Sequence, residues 1–437
     1  MATHLQGIFS GALLQSRSPP PPSPSIRTST PSPFTTDLIS TNLRQLAPKK
    51  APGSDSITAE MLFPILDPLA PLLLLLFDLC WTSDLIPTLW RTSQVIPIHK
   101  KGDTTLASNY RPISLTSVFQ KILEKCLQPT LPLQSPPLDI AQGGFQPQRS
   151  TLDQVLCLTE LCRIHHHRHR QHPTLAFLDI KSAYDTVDRM IIWDALRPTA
   201  TPSLLRLLQH LVDEVATEVL LNNHQSAQFH PATGVLQGSI LSPFLYSLQQ
   251  LGYRWSPTKS IILPPPPRRR SLDSPSSPYH TIYHTSIPTA PHFNYLGIPI
   301  RPGGSIDTNQ LIQHNSARAR PSMDLLTTIG VRATGYSRLL STRFYKQFVR
   351  PQMEYGLAIT KLTKTSTATL DRTQDHCLRR IFGASPRSTT IIMRHISNTP
   401  PMSVRHSTLQ LKYLARTTHQ PSDTLLSNLS PPLAHQP

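Results

Sequence analysis

The run Phe177-Leu178-Asp179-Ile180-Lys181-Ser182-Ala183-Tyr184-Asp185 constrains this chain more than any other. It reads as an apolar strand that ends on a carboxylate, Asp179, with an aromatic ring, Tyr184, five residues further on. A second run, Gly234-Val235-Leu236-Gln237-Gly238-Ser239-Ile240-Leu241-Ser242-Pro243, reads as a turn that opens a helix. Glycine suits such a turn because it allows a close backbone approach that a side chain would block.

Charge narrows the partner class. Lys and Arg number 42 against 25 Asp and Glu, a formal charge of +17, which favours a polyanion such as nucleic acid. The 45 prolines and the many Ser and Thr residues mean that only part of the chain need pack. Five cysteines, at 80, 126, 157, 162 and 377, cannot all pair and show no secreted-type framework, which points to a reducing, intracellular setting, nuclear or cytoplasmic. Cys157 and Cys162 precede His165, His166, His167, His169 and His172, but the spacing matches no standard zinc finger. That stretch reads as a helix followed by a basic loop.

Residues 1–44 are Ser/Pro/Thr-rich, with seven prolines between Pro19 and Pro33, and are expected to be disordered because they cannot bury enough surface to offset their ordering entropy. No basic start precedes a long apolar core, so no secretion signal is read. The apolar run Leu72–Phe77 is bracketed by Pro71 and Asp78 and falls short of the ~20 residues of a membrane span, so a buried helix and no membrane partner are expected. Pro264 to Pro267, Arg268-Arg269-Arg270 and the stretch to Pro278 read as an exposed basic loop, and the chain from about Gln420 is again polar and Pro-rich. Between these breaks, Val95-Ile96-Pro97-Ile98 predicts a strand, Val118 to Leu127 a helix, and Ser150 or Thr151 a cap for a helix through Leu161. Asp213-Glu214 falls on a predicted helix end.

Taken in order, these segments resemble the reverse transcriptases of non-LTR (LINE-type) retrotransposons. The Asp179 run is similar to motif A and the Gln237 run to motif B. Upstream stand Ala51-Pro52-Gly53-Ser54-Asp55, then His99-Lys100-Lys101-Gly102-Asp103 leading to Asn109-Tyr110-Arg111-Pro112-Ile113-Ser114, and the Gly144-Phe145-Gln146-Pro147-Gln148-Arg149-Ser150-Thr151 box. Downstream, Trp255 to Ser260 resembles motif D, Asn294-Tyr295-Leu296-Gly297 motif E, and Tyr345 to Gly356 the thumb. The resemblance covers residues from about 45 to 385. It implies an α+β fingers-palm-thumb fold, with fingers and palm over 45–300, a helical thumb-like region over 301–385 and a partly disordered tail over 386–437.

The same resemblance implies site roles. Asp179, with the Ile180 carbonyl, would hold Mg2+, and the partners would be an RNA template and a DNA primer. Such polymerases use two divalent ions, one on the attacking hydroxyl and one on the triphosphate. Tyr184 would select deoxynucleotides, Gln237 and Arg111 would contact nucleotide or template, and Lys259 would protonate the leaving pyrophosphate. Gly238, Arg149, Tyr295, Leu296 and Gly297 would lie along the nucleic acid, with Arg343, Lys346 and Arg350 as thumb candidates. Asp185 fits the pattern without a firm role.

One departure bears on activity. The family carries a hairpin with paired aspartates, motif C, between motifs B and D, yet no two Asp residues are adjacent anywhere in the chain, and only residues 244–255 separate Pro243 from Ser256. A deletion, or a coding segment lost at an intron boundary, accounts for this. The upstream endonuclease of the family is likewise not expected in residues 1–40. The expectations are an incomplete palm sheet, an inactive polymerase and one fused helix from about Ser239 to Leu251 that ends at Gly252. The alternatives are a non-catalytic nucleic-acid-binding remnant and a product without a stable fold.

Overall fold

A computed structural model describes residues 1–10, 30–249, 253–266 and 280–429. Helix and strand are mixed, as expected for an α+β chain, with 49% of it helical and 11% in strands. The chain forms two compact units, each assembled from separated stretches: residues 1–145 with 180–255, and residues 146–179 with 256–437. The division therefore falls inside motif A, between Asp179 and Ile180.

In the first unit, helices Thr36–Arg44, Leu66–Ser83, Val118–Leu127, Arg189–Leu196 and Pro202–Val212 enclose a core that includes Ile39, Leu43, Phe77, Ile122, Leu123 and Trp193. Beside it lies a sheet in the order Tyr110–Leu115, Thr92–His99, Ala216–Leu221, His224–Gln225. The first two strands are antiparallel, with Ile96 opposite Ile113, and Thr92–Val95 run parallel to Ala216–Val219. The Val118–Leu127 helix has the predicted bounds, and Ser117 caps it by accepting from the Phe119 N–H.

In the second unit, Ser150 caps helix Thr151–His169 with a capping box closed by Asp153. The motif A strand, Leu175–Phe177, pairs antiparallel with Ile261–Leu263, just after motif D, in a two-stranded sheet. Phe293–Tyr295 and Ile298–Ile300 form a hairpin whose two turn residues, Leu296 (φ 50°) and Gly297 (φ 81°), are left-handed, as a tight two-residue turn requires. Helices Thr308–Thr328 and Lys364–Phe382 bury Met323, Leu370, Cys377 and Ile381 in a separate core.

Several expectations need correction. Residues 1–44 contain helices Ala2–Phe9 and Thr36–Arg44; the second forms because Thr35 caps it and Ile39 and Leu43 are fully buried. Residues 11–29 lie outside the described residues, as do 267–279, which include most of the expected basic loop. The 386–437 tail holds helices Ile391–Ile396, Met402–Thr417 and Leu425–Leu429, anchored by buried Met402 and by Arg405 on Glu354 (2.6 Å). The first histidines continue the Thr151–His169 helix instead of starting a loop, and the turn comes at left-handed Arg170. The Leu72–Phe77 helix is buried on one face only: Leu73 and Phe77 are inside, Leu72 and Leu75 outside. Within the longer stretch Ala59–Ser83, length and apolar composition alone would suffice to cross a membrane.

The fused helix is also shorter than expected. It runs Ser242–Leu248, with Gln249 out of helical conformation and residues 250–252 outside the described residues. Before it, the Ile240 N–H is taken by the Glu124 carboxylate and the Leu241 N–H by Ser239 Oγ, side-chain acceptors for the donors a helix start leaves unpaired. The first intrahelical bond, Leu245 N–H to Leu241 O, forms only beyond them.

Within the second unit Asp153 ties the tail to helix Thr151–His169, accepting from Tyr413 Oη (2.9 Å), Gln420 Nε2 (2.9 Å) and the Arg416 guanidinium. Burial pushes its carboxyl up, but the Arg416 and Tyr413 hydrogen bonds outweigh this and hold it below the usual aspartate value. A depressed folded value means that the stabilisation is present above the unfolded value and is lost as pH falls. Asp153→Ala should cost about 2–4 kcal/mol at neutral pH. Urea unfolding should show the gap to wild type shrinking below about pH 3.9; a gap independent of pH would refute this account.

Candidate functional site

The first unit builds its site around the motif B loop, which is gripped at three points. At its start, Thr233 and Gly234 lie against the turn that follows Tyr184. The Gly234 and Val235 N–H groups donate to Val187 O (2.9 Å) and Tyr184 O (2.8 Å), and Thr233 Oγ1 donates to Asp185 O (3.0 Å). Gly234 has φ 88°, and a Cβ there would stand 2.8 Å from Asp185 O, so glycine is required both conformationally and sterically. Buried Arg189 donates to Gly234 O (2.7 Å) and Thr233 O (3.3 Å) and lies 3.6 Å from Asp213.

In the middle, Gln237 Nε2 donates to the buried Asp185 carboxylate (2.8 Å), while the Ser114 N–H donates to Gln237 O (2.9 Å). Gly238 touches the same strand: a Cβ would fall 2.1 Å from Ser114 O. At the end of the loop, Glu124 accepts from Ile240 N–H (2.6 Å), Ser239 Oγ (3.0 Å) and Gln120 Nε2 (2.8 Å). Burial raises the Glu124 and Asp185 carboxyls above the usual range, although their hydrogen bonds pull the other way. Tyr184 stacks on Tyr246 (5.3 Å between ring centres), with Phe145 edge-on, and burial raises its hydroxyl. Arg111, Lys100 and Lys101 are exposed at the end of the Thr92–His99 and Tyr110–Leu115 pair. The Ile180 backbone bridges Trp255.

The second unit holds Asp179. Its backbone N–H is bound by Ser260 Oγ (3.1 Å), and its carbonyl accepts from Ser256 N–H (2.7 Å). Its carboxylate is about half exposed, with Lys259 Nζ 4.0 Å away. Among the described residues no group of three or more His, Cys, Asp or Glu side chains is placed to hold an ion. A lone carboxylate beside an ammonium does not fit a two-ion site, since magnesium bound by few protein ligands still draws on carboxylates. Arg149 turns onto Asp423 (3.4 Å). Lys346 donates to Ser397 O (2.7 Å) and Arg350 pairs with Glu354 (3.3 Å), which leaves Arg343 as the exposed thumb cation of those three. At the hairpin tip Leu296 O accepts from Tyr355 Oη (2.6 Å), and Tyr295 is partly buried.

The structure thus brings Tyr184, Gln237 and Gly238 into one neighbourhood of the first unit, and Asp179 with Lys259 into one of the second. Sequence reasoning missed Glu124 and Arg189. The available signal for Glu124 was its pairing with Gln120 at i, i+4 on the Val118–Leu127 helix.

Residues 98–251 match the family model for reverse transcriptase, an RNA-dependent DNA polymerase. Three relatives agree in kind. The RNA-directed DNA polymerase from mobile element jockey of Drosophila melanogaster is 28% identical over 49% of this chain. The transposon TX1 uncharacterized 149 kDa protein of Xenopus laevis is 30% identical over 49%. The Pol polyprotein from type-2 retrotransposable element R2DM of Drosophila melanogaster is 29% identical over 45%. Residues 98–251 therefore carry a reverse-transcriptase domain, similar to those of non-LTR retrotransposons. The chain spans 24%, 17% and 18% of the length of those relatives. A solved telomerase from Candida albicans, in complex with a telomeric RNA fragment, aligns over 79% of this chain and 64% of its own, at 11% identity and a TM-score of 0.34.

In this reverse-transcriptase domain Glu124 is the buried charge whose loss is easiest to read. Its raised carboxyl stabilises the fold fully below the usual glutamate value, and that contribution declines as pH rises through the raised one. Glu124→Ala, which orphans the Ile240 N–H, should cost about 2–4 kcal/mol. Glu124→Gln keeps an acceptor and sheds the charge, so its stability relative to wild type should improve from pH 5 to pH 8 in urea unfolding. A constant difference would show that the carboxylate is not held against its solvation.

Proposed function

We propose that this chain is the reverse-transcriptase domain of a non-LTR element, retaining the template and nucleotide contacts of the fold without its polymerase chemistry. The observation that carries this reading is the junction of motif B with motif D. Ser242–Leu248 is followed within a few residues by Trp255, and the motif A strand pairs with Ile261–Leu263. With no adjacent aspartates in the sequence, Asp179 has Lys259 as its charged neighbour.

In this reading residues 45–300 are fingers and palm, with an incomplete palm sheet, and 301–385 the thumb. RNA template and DNA primer are the partners. Lys100, Lys101 and Arg111 supply exposed charge for phosphates, which guanidinium and ammonium groups satisfy without reading sequence. Tyr184 packs against the incoming sugar, Gln237 contacts the nucleotide, and the Tyr295-Leu296-Gly297 turn and Arg149 follow the nucleic acid. Magnesium, which the family implies, would meet Asp179 and the Ile180 carbonyl alone. Lys259 keeps its position as a mobile cation with no pyrophosphate to protonate. Losing metal-ion Lewis acidity forfeits several kcal/mol of transition-state stabilisation, a rate loss of at least ~10³.

Two measurements test this. The 437-residue chain should bind primed RNA regardless of sequence, at least about tenfold more weakly at ~200 mM than at ~50 mM salt, because each phosphate contact releases counterions. A flat salt response in filter binding would refute the nucleic-acid role. The same preparation should not extend the primer with magnesium or manganese, and extension abolished by Asp179→Ala would overturn the inactive assignment.

A further inference from the structure

Asp185 is the motif A residue for which the family pattern supplies no role, yet it is the one that touches the motif B side chain. It is 7% exposed, its N–H donates to Ser182 O (2.9 Å), and its carbonyl accepts from Thr233 Oγ1, so neither its backbone nor its carboxylate is free to swing. Its Oδ1 accepts from Gln237 Nε2 at 2.8 Å.

The chemistry of that pair fixes a direction. An amide carries a donor end and an acceptor end, whereas an ionised carboxylate can only accept. The nitrogen of Gln237 must therefore face Asp185, and its carbonyl oxygen must face away. At most acceptor-donor partners an amide can flip and still be satisfied; beside a carboxylate it cannot. The other end of the residue is also pinned, since Gln237 O accepts from the Ser114 N–H.

We propose that Asp185 sets the hydrogen-bonding sense of motif B: it takes the Gln237 amide nitrogen and leaves the carbonyl oxygen to the ligand. The position then recognises a hydroxyl or amino donor on the ligand and disfavours a phosphate oxygen. Asp185 is a positioning residue acting through Gln237, and the recognition half of the proposal rests on Gln237 contacting the nucleotide.

The first test needs no ligand. In the full chain with labelled glutamine side chains, the Gln237 amide resonance, assigned by its loss in Gln237→Glu, should lie downfield of the other glutamines and exchange slowly with water. Asp185→Asn, which preserves volume, should return it to the ordinary range. An ordinary wild-type resonance, or one unmoved in Asp185→Asn, would overturn the proposal.

The second test uses thymidine triphosphate and its 3'-deoxy analogue as probes, bound to the chain with a primed template. Wild type should favour the hydroxyl-bearing probe about tenfold, the loss expected when a site built for a hydrogen bond meets a ligand lacking it. The ratio should fall towards one in Asp185→Asn, where the amide can flip. It should return in Asp185→Asn/Gln237→Glu, which reverses the pair, keeps its net charge and again presents an oxygen. Equal wild-type binding of both probes, or no recovery in the double variant, would overturn donor recognition. Binding of neither probe would refute the nucleotide reading, and the amide resonance alone would then decide whether Asp185 orients Gln237.

Discussion

The first unit depends on how the motif B loop is held. A loop of Gly234, Gln237 and Gly238 has little apolar surface of its own, so its position comes from hydrogen bonds made by groups that have left water. Arg189, Asp185 and Glu124, all buried, grip its start, middle and end. Buried charges are costly unless their bonds are satisfied. Each here has a specific partner set, and the glycines let the backbones approach to where those partners lie. Loss of any one grip leaves a desolvated donor or acceptor behind, a penalty larger than the net value of an ordinary hydrogen bond.

The same economy governs the motif A strand. Strand donors and acceptors need partners. Leu175–Phe177 finds them on Ile261–Leu263, Ile180 bridges Trp255, and the Asp179 carbonyl takes the Ser256 N–H. The motif A backbone is thereby satisfied by the segment that follows motif D. Satisfying a backbone is a smaller demand than building a site for two ions. The strand is kept, while the carboxylate at its end has an ammonium as its charged neighbour.

Local signals were legible where short-range physics decides. The Val118–Leu127 helix, the Ser150 cap and the strand through Val95–Ile98 follow from apolar spacing and capping chemistry, which the sequence displays directly. What it did not display was pairing at long range. Glu124 lies on a helix more than a hundred positions from Ser239 and Ile240, and nothing local marks it as their acceptor. The fused-helix expectation failed at its far end, where the Gln249 N–H turns back to Tyr246 O and leaves the helix, which apolar spacing did not reveal. The ends misled through composition: Pro and Ser content outweighed Ile39 and Leu43, and the tail's polarity hid that Arg405 meets the part-buried Glu354 and Arg416 the buried Asp153.

The two kinds of carboxylate in motif A are thus separated by environment. Asp179, half exposed beside Lys259, is free of packing demands, so its identity matters little to the fold. Asp185, six residues later, is buried and bonded to the neighbouring loop, so its identity matters to architecture. A chain released from selection for catalysis but still required to fold would tolerate change at the first position before the second. Both acids are present here, and Asp185 helps to fix the geometry of the motif B loop through Gln237.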